Sequence, residues 1–187
     1  LAADVVGYSR LMHADDQATL QALTESRELF SGKVAEHGGR IVNTPGDSIL
    51  AEFPSVVKAV ECALEIQRTI VDRNAPLPEE RRMQFRIGVN LGDVLVDSAG
   101  VYGDGVNVAA RLESLCEPGG VAVSASAYEQ VRDRLDYGFI DAGEHVVKNI
   151  ARPVHVYRLD LSAHIAGAAA PKASRSLRRG KLRLPLV

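Results

Sequence analysis

Two carboxylates in this chain stand where a carboxylate is costly. Asp4 interrupts the apolar run Leu1-Ala-Ala-Asp-Val-Val-Gly7, and Asp47 lies in the stretch Arg40-Ile-Val-Asn-Thr-Pro-Gly-Asp-Ser-Ile-Leu-Ala-Glu-Phe53. An unpaired buried carboxylate costs several kcal/mol or gives up its charge, so Asp4 needs a cation, a set of donors or an exit to water. Pro45-Gly46-Asp47-Ser48 is strong turn chemistry that lifts Asp47 to the tip of a hairpin. Two such carboxylates on neighbouring strands would make a site for a divalent cation. A second pair, Asn107 and Arg111, is spaced four apart just after the glycine-rich stretch Gly100-Val-Tyr-Gly-Asp-Gly105. On a helix they share a face, and an amide beside a guanidinium suits a ribose and a phosphate. Spacing alone leaves open a surface Arg111 paired with Glu113 or Asp104.

Other polar residues carry weaker signals. Asp93 and Asp104 lie in glycine turns, where Asp bonds its own backbone. The five histidines show no ligand spacing. Cys62 and Cys116 read as small buried hydrophobes. Tyr8 and Tyr102 flank the candidate residues and are equally suited to packing.

The elements that must position these groups follow from periodicity. The Asp4 strand breaks at Gly7-Tyr8-Ser9, and Leu20, Leu23, Phe30 and Val34 recur at helical spacing from about Ala14 to His37, where Gly38-Gly39 stops the run. The Asp47 hairpin comes next. Ser55 is a candidate N-cap for a second helix to about Arg73, with Val57, Val60, Leu64 and Val71 on its inner face. Phe85, Ile87 and Val89 alternate along a strand, Leu91-Gly92-Asp93 turns, and Val94 to Val96 returns. A helix from about Val106 to Cys116 carries Asn107 and Arg111. A short strand at Val121 to Ser124, a helix from Ser126 to about Leu135 and strands at Phe139-Ile140, His145 to Lys148 and Val154 to Leu159 complete the chain. Hairpins alternating with single helices predict an α+β fold, a ferredoxin-like split βαβ with a mostly antiparallel sheet and helices packed on one face.

The chain has 187 residues, with 46% hydrophobic and 25% charged, enough for one domain with a core. Residues 162–187 hold Lys172, Arg175, Arg178, Arg179, Lys181 and Arg183 and no acid, which leaves 16 basic and 24 acidic residues in 1–161, a net of about −8. An acidic domain argues against nucleic acid as a partner. The basic tail from 161 onward reads as a linker to a further module. Two distant cysteines, no apolar run of membrane length and no visible signal peptide predict a cytoplasmic domain. The chain begins at Leu1, inside an expected strand, so further sequence is expected upstream.

Four motifs, in order, now carry a resemblance: Ala3-Asp-Val-Val-Gly-Tyr-Ser9, Thr44-Pro-Gly-Asp-Ser-Ile-Leu-Ala-Glu-Phe53, Phe85-Arg-Ile-Gly-Val-Asn-Leu-Gly-Asp-Val94 and Val101-Tyr-Gly-Asp-Gly-Val-Asn-Val-Ala-Ala-Arg-Leu-Glu113. Together with Val147-Lys-Asn-Ile-Ala-Arg-Pro-Val-His-Val-Tyr157, they resemble the class III adenylate/guanylate cyclase catalytic domain over about residues 1–160. The resemblance implies a head-to-tail homodimer with shared active sites that converts ATP to cyclic AMP and pyrophosphate. It implies that Asp4 and Asp47 hold two divalent cations, Mg²⁺ or Mn²⁺. Backbone amides of Val5, Val6, Gly7, Tyr8 and Ser9 would cradle phosphates, and Lys148 is a candidate for the terminal phosphate. Asn107 would position the ribose, and Arg111 would meet charge on the α-phosphate, both from the partner subunit.

The sequence departs from the family at the purine-reading positions. Asn43 stands where adenylate cyclases usually carry Lys, and Gly100 where they carry Asp or Thr. The Glu/Cys-type pair of guanylate cyclases is absent as well. GTP in place of ATP, and a weakly active dimer that binds nucleotide or transmits a signal, therefore stand as alternatives. The Gly-Gly-Asp-type hairpin of diguanylate cyclases is missing.

Overall fold

The computed structural model describes residues 1–97, 100–147, 150 and 152–161. Its strands and helices are β1 (Ala2–Val5), α1 (Tyr8–Ala14), α2 (Asp16–Glu36), β2 (Arg40–Asn43), β3 (Ile49–Glu52), α3 (Val56–Asn74), β4 (Phe85–Val89), β5 (Leu95–Asp97), β6 (Gly100–Tyr102), α4 (Asp104–Ser114), β7 (Val121–Ser124), α5 (Ala125–Val131), β8 (Gly138–His145) and β9 (Val154–Asp160).

Seven strands form one sheet in the order β2-β3-β1-β4-β7-β9-β8. Every pairing is antiparallel except β4 with β7. The first four strands with α2 and α3 are the predicted split βαβ, and β7 to β9 extend it.

Alternation along the strands decides which side of the sheet each residue serves. Ala3, Val5, Ile49, Phe85, Ile87, Val89, Val121 and Val123 join the main core beneath Leu23, Phe30, Val34, Val60, Leu64 and Ile66 of α2 and α3. Ala122 and Val156 face the other way and pack on Leu112 and Cys116. Helix α4 therefore covers the opposite face from α2 and α3, which corrects the expectation that all helices lie on one side.

Helix boundaries follow their local signals. The Asp15 carboxylate accepts the Ala18 amide at 3.0 Å and separates α1 from α2. Gly38, at φ 72°, ends the α2 turn. Ser55 occupies the N-cap of α3, and its side chain caps no helix amide among the described residues. Leu20 and Val71, expected to face inward, are exposed; Ala59, Ala63 and Ile70 complete the inner face of α3 instead. Helix α5 ends at Val131, short of Leu135.

Two strand expectations also change. Val94 to Val96 does not return along β4; β5 instead pairs with β6 as a separate ribbon. Phe139 and His145 belong to one strand, β8, whose register shifts between Asp141 and Gly143. Lys148 lies outside the described residues. Among the described residues no helix is long and apolar enough to cross a membrane.

Candidate active site

Asp4 lies between two core residues, Ala3 and Val5, so its side chain emerges on the face covered by α4. Strand register places it opposite Arg86 of β4. Arg86 meets it with a fork: Nε donates to Oδ1 at 3.0 Å, and Nη2 donates to Oδ2. The pair is partly buried, with side-chain exposures of 18% for Asp4 and 26% for Arg86. Hydrogen bonding to Asp4 holds the Arg86 guanidinium above its ordinary pKa. The structure thus answers the cost of Asp4 with a cation from this chain. Sequence reading passed over Arg86; the strand alternation that exposed Asp4 also takes Arg86 out of the core, and that was the available signal.

Glu113 joins this group from α4. Burial pushes its carboxyl up to about 8, and the negative charge of Asp4 adds to the effect. Arg86 opposes the rise, Asp47 adds to it and Arg111 opposes it. Glu113 thus feels the charge of Asp4 on β1 and, more weakly, that of Asp47 in the β2–β3 turn. Sequence reading treated Glu113 only as a partner for Arg111. Among the described residues Arg111 forms no ion pair with Glu113 or Asp104.

Asp47 is half-buried in the turn after β2. Ser48 N–H donates to the Pro45 carbonyl at 3.0 Å, and Gly46 adopts φ 58°, which glycine accepts without strain. The Arg27 guanidinium on α2 donates to the Thr44 carbonyl at 3.1 Å and to the Gly46 carbonyl.

Helix α4 starts at Asp104 and presents exposed Asn107 and half-buried Arg111. Its seat depends on two glycines. A Cβ on Gly88 would meet the Ala109 carbonyl oxygen at 2.3 Å, and one on Gly105 would meet the Asp93 carbonyl oxygen at 2.9 Å. The Asn90 amide donates to the Gly105 carbonyl at 3.0 Å and ties the helix start to the end of β4.

After β1, Val6 and Gly7 form a turn, with Gly7 left-handed at φ 63° ahead of α1. The Val6 amide donates to the Gln84 carbonyl at 2.8 Å, while the Gly7 carbonyl accepts from Arg10 and Leu11. Tyr8 packs partly against the core. The exposed Asn43 turns its side-chain oxygen onto the Thr44 amide at 2.8 Å. Strands β2 and β6 approach each other, which brings the strands of Asn43 and Gly100 together. A cavity of about 120 Å³ opens there, lined in part by Val42, Phe53, Val101, Val106 and Ala109.

Both Asp4 oxygens accept from Arg86, but each keeps a further lone pair, so Asp4 and Asp47 still offer the oxygen donors that a hard divalent cation takes. Mg²⁺ in particular keeps waters and binds through one or two carboxylates with substrate phosphates. Among the described residues no three acidic, His or Cys side chains gather into a closed metal cage.

The family profile described as the adenylate and guanylate cyclase catalytic domain matches residues 1–160. The chain belongs to this cyclase family. A Rhizobium meliloti (strain 1021) protein named "Putative adenylate cyclase 3" is 49% identical over 158 residues, 84% of this chain and 27% of that protein. The adenylate cyclase of Streptomyces coelicolor is 34% identical over 134 residues, 71% of this chain and 34% of its own length. The chain thus spans about a quarter to a third of these relatives. The structure of an adenylate/guanylate cyclase/hydrolase from Silicibacter pomeroyi superposes with TM-score 0.76 at 43% identity, covering 84% of this chain and 92% of that one. The adenylyl cyclase CyaB from P. aeruginosa shares the fold at TM-score 0.72 and 22% identity, covering 85% and 91%.

Proposed function

We propose that this cyclase domain converts ATP to 3′,5′-cyclic AMP and pyrophosphate at sites shared across a homodimer. The observation that carries the proposal is the match of residues 1–160 to the cyclase catalytic domain, with Asp4 on the face of the sheet that α4 covers. The names of the Rhizobium and Streptomyces relatives support the choice of ATP. The 120 Å³ cavity lined by Val42 of β2 and Val101 of β6, the chain neighbours of Asn43 and Gly100, supports a slot for the purine.

In this reading Asp4 and Asp47 hold the divalent cations. The ions, when bound, activate the ribose 3′-hydroxyl and neutralise the triphosphate. The chain's own residues supply position and charge. The amides of Gly7, Tyr8 and Ser9 donate to phosphate oxygens. The Val5 and Val6 backbone shapes that turn, since the Val6 amide is engaged by Gln84. Lys148 is assigned to the terminal phosphate. Asn107 of one subunit holds the ribose over the Asp4 and Asp47 of the other. Arg111, always charged, lies against the α-phosphate as charge builds there. The 3′-hydroxyl loses its proton to water as its oxygen bonds to the α-phosphorus, the bond to the bridging oxygen breaks, and pyrophosphate leaves with its electron pair.

Product formation by the purified chain with ATP or GTP and Mn²⁺ tests this. Cyclic AMP is expected from the wild-type chain, and Asp47→Ala is expected to lose about 100-fold or more of the rate, since cation chemistry supplies several kcal/mol. Wild-type turnover in Asp47→Ala would overturn the cation assignment. Cyclic GMP as the only product would reassign the substrate to GTP.

A further inference from the structure

The turn that presents Asp47 leaves the sheet through an irregular step. The β2–β3 register shifts between Ile41 and Asn43, and only the Asn43–Leu50 pair lies between that shift and the turn. Within the turn, Ser48 bonds Pro45 and the Asn43 side chain bonds Thr44, but neither contact ties the turn to the rest of the fold. That tie comes from Arg27, near the middle of the 21-residue helix α2. One guanidinium nitrogen, Nη2, donates to both the Thr44 carbonyl, at 3.1 Å, and the Gly46 carbonyl. Among the described residues the buried Arg27 Nε has no hydrogen-bond partner. A partly desolvated guanidinium that leaves one donor unpaired is a poor device for stability alone, because an unsatisfied buried donor costs free energy.

We propose that Arg27 is a positioning residue for Asp47, holding the turn so that its carboxylate meets the cation in a fixed place. This rests on the reading of Asp47 as a cation ligand. The sign of the effect separates positioning from mere proximity of charge. A positive guanidinium near the site repels a divalent ion, so by charge alone its removal tightens binding. Loss of the clamp weakens binding, because the ligand carboxylate is then free to wander. Outer contacts that orient ligands typically change metal affinity about 10- to 100-fold.

The experiment is a Mn²⁺ titration of the full chain without nucleotide, read by electron paramagnetic resonance, for wild type, Arg27→Met, Arg27→Lys and Asp47→Ala. Arg27→Met is expected to bind Mn²⁺ about tenfold more weakly. Arg27→Lys keeps the charge but lacks the planar fork, and is expected to weaken binding about threefold, so it reports on geometry even if the Met variant does not fold. Amide hydrogen exchange is expected to quicken at Ser48 and its neighbours in the turn, with α2 amides unchanged. Mn²⁺ binding in both Arg27 variants equal to or tighter than wild type, with Asp47→Ala weakened, would overturn the role of Arg27. Faster exchange along the whole of α2 would also overturn it, since that marks a general structural part. Undiminished binding in Asp47→Ala would instead overturn the reading of Asp47.

Discussion

Glu113 is the residue whose chemistry departs furthest from its type. Burial, above all, pushes its carboxyl up to about 8 from an ordinary glutamate value of 4.5. The native state therefore keeps a proton that the unfolded state has lost, and between these values stability falls as pH rises. The contribution is whole below about pH 4.5 and gone above about pH 8. Glu113→Gln keeps the shape and removes the titration. In metal-free protein its melting temperature is expected to gain on wild type as pH rises through this window. The gain is on the order of 1–2 kcal/mol, discounting the full shift for partial exposure. A constant gap between the two melting curves would show that Glu113 is ionised throughout. The thiols of Cys62 and Cys116, pushed up to about 12 by burial, stay protonated across this range and do not blur the result. At this same scale the sequence was informative about Asp4 and silent about its neighbours. A carboxylate between Ala3 and Val5 is conspicuous in any strand. Arg86, 82 residues away from Asp4, becomes its partner only through sheet register.

Helix α4 shows what an element contributes that its residues do not. Asn107 and Arg111 share a face by spacing alone, but where that face sits depends on how closely α4 approaches β4. Gly88 permits that approach, since the nearest atoms to an added Cβ are backbone atoms of Ala109 and Glu113, at 2.3 and 2.6 Å. Backbone cannot rotate aside as a side chain can. Gly88→Ala is expected to lift α4 off the sheet, cost about 1–3 kcal/mol in thermal or denaturant unfolding, and lower the cyclase rate at least tenfold. Mn²⁺ binding at Asp4 and Asp47 is expected to suffer less than turnover. An unchanged rate in a well-folded Gly88→Ala chain would show that the seat of α4 does not set the geometry of Asn107 and Arg111. The error over Val94 to Val96 belongs to this scale too. Alternation marks a strand but not its partner, and β5 finds β6 rather than β4. Leu20 and Val71 mislead for a related reason: helical spacing marks a stripe, and the neighbours in space decide which edge of it is covered.

The whole molecule leaves apolar surface on the β5–β6 ribbon and the loop before it. Leu95 is 74% exposed and Tyr102 49%, with Leu91 and Val94 also exposed. Such a patch is suited to burial against a second copy. The proposal of shared sites makes a sharp forecast for mixed chains. Asp47→Ala and Arg111→Ala are each expected to be inactive alone. Mixed one to one and allowed to exchange, they are expected to recover about a quarter of wild-type activity. Half of randomly paired dimers are then mixed, and each mixed dimer has one intact site of two. No recovery in a sample shown to contain mixed dimers would mean that each chain builds its site alone.

By itself the sequence determined the features that arise within a few residues. These are the Asp4 strand, the Pro45–Ser48 turn, the helical spacing of Asn107 and Arg111, the split βαβ order and the family resemblance that the profile match over residues 1–160 bears out. Each follows from backbone preference and side-chain period, which are properties of neighbours along the chain. Only the tertiary structure decided that α4 covers the opposite face of the sheet, that Arg86 forks onto Asp4, that the half-buried Glu113 feels the charge of Asp4, and that Arg27 grips the turn. These contacts join residues from different elements. Their existence depends on strand register and on how closely the layers pack, and both are set by the burial of the whole core at once.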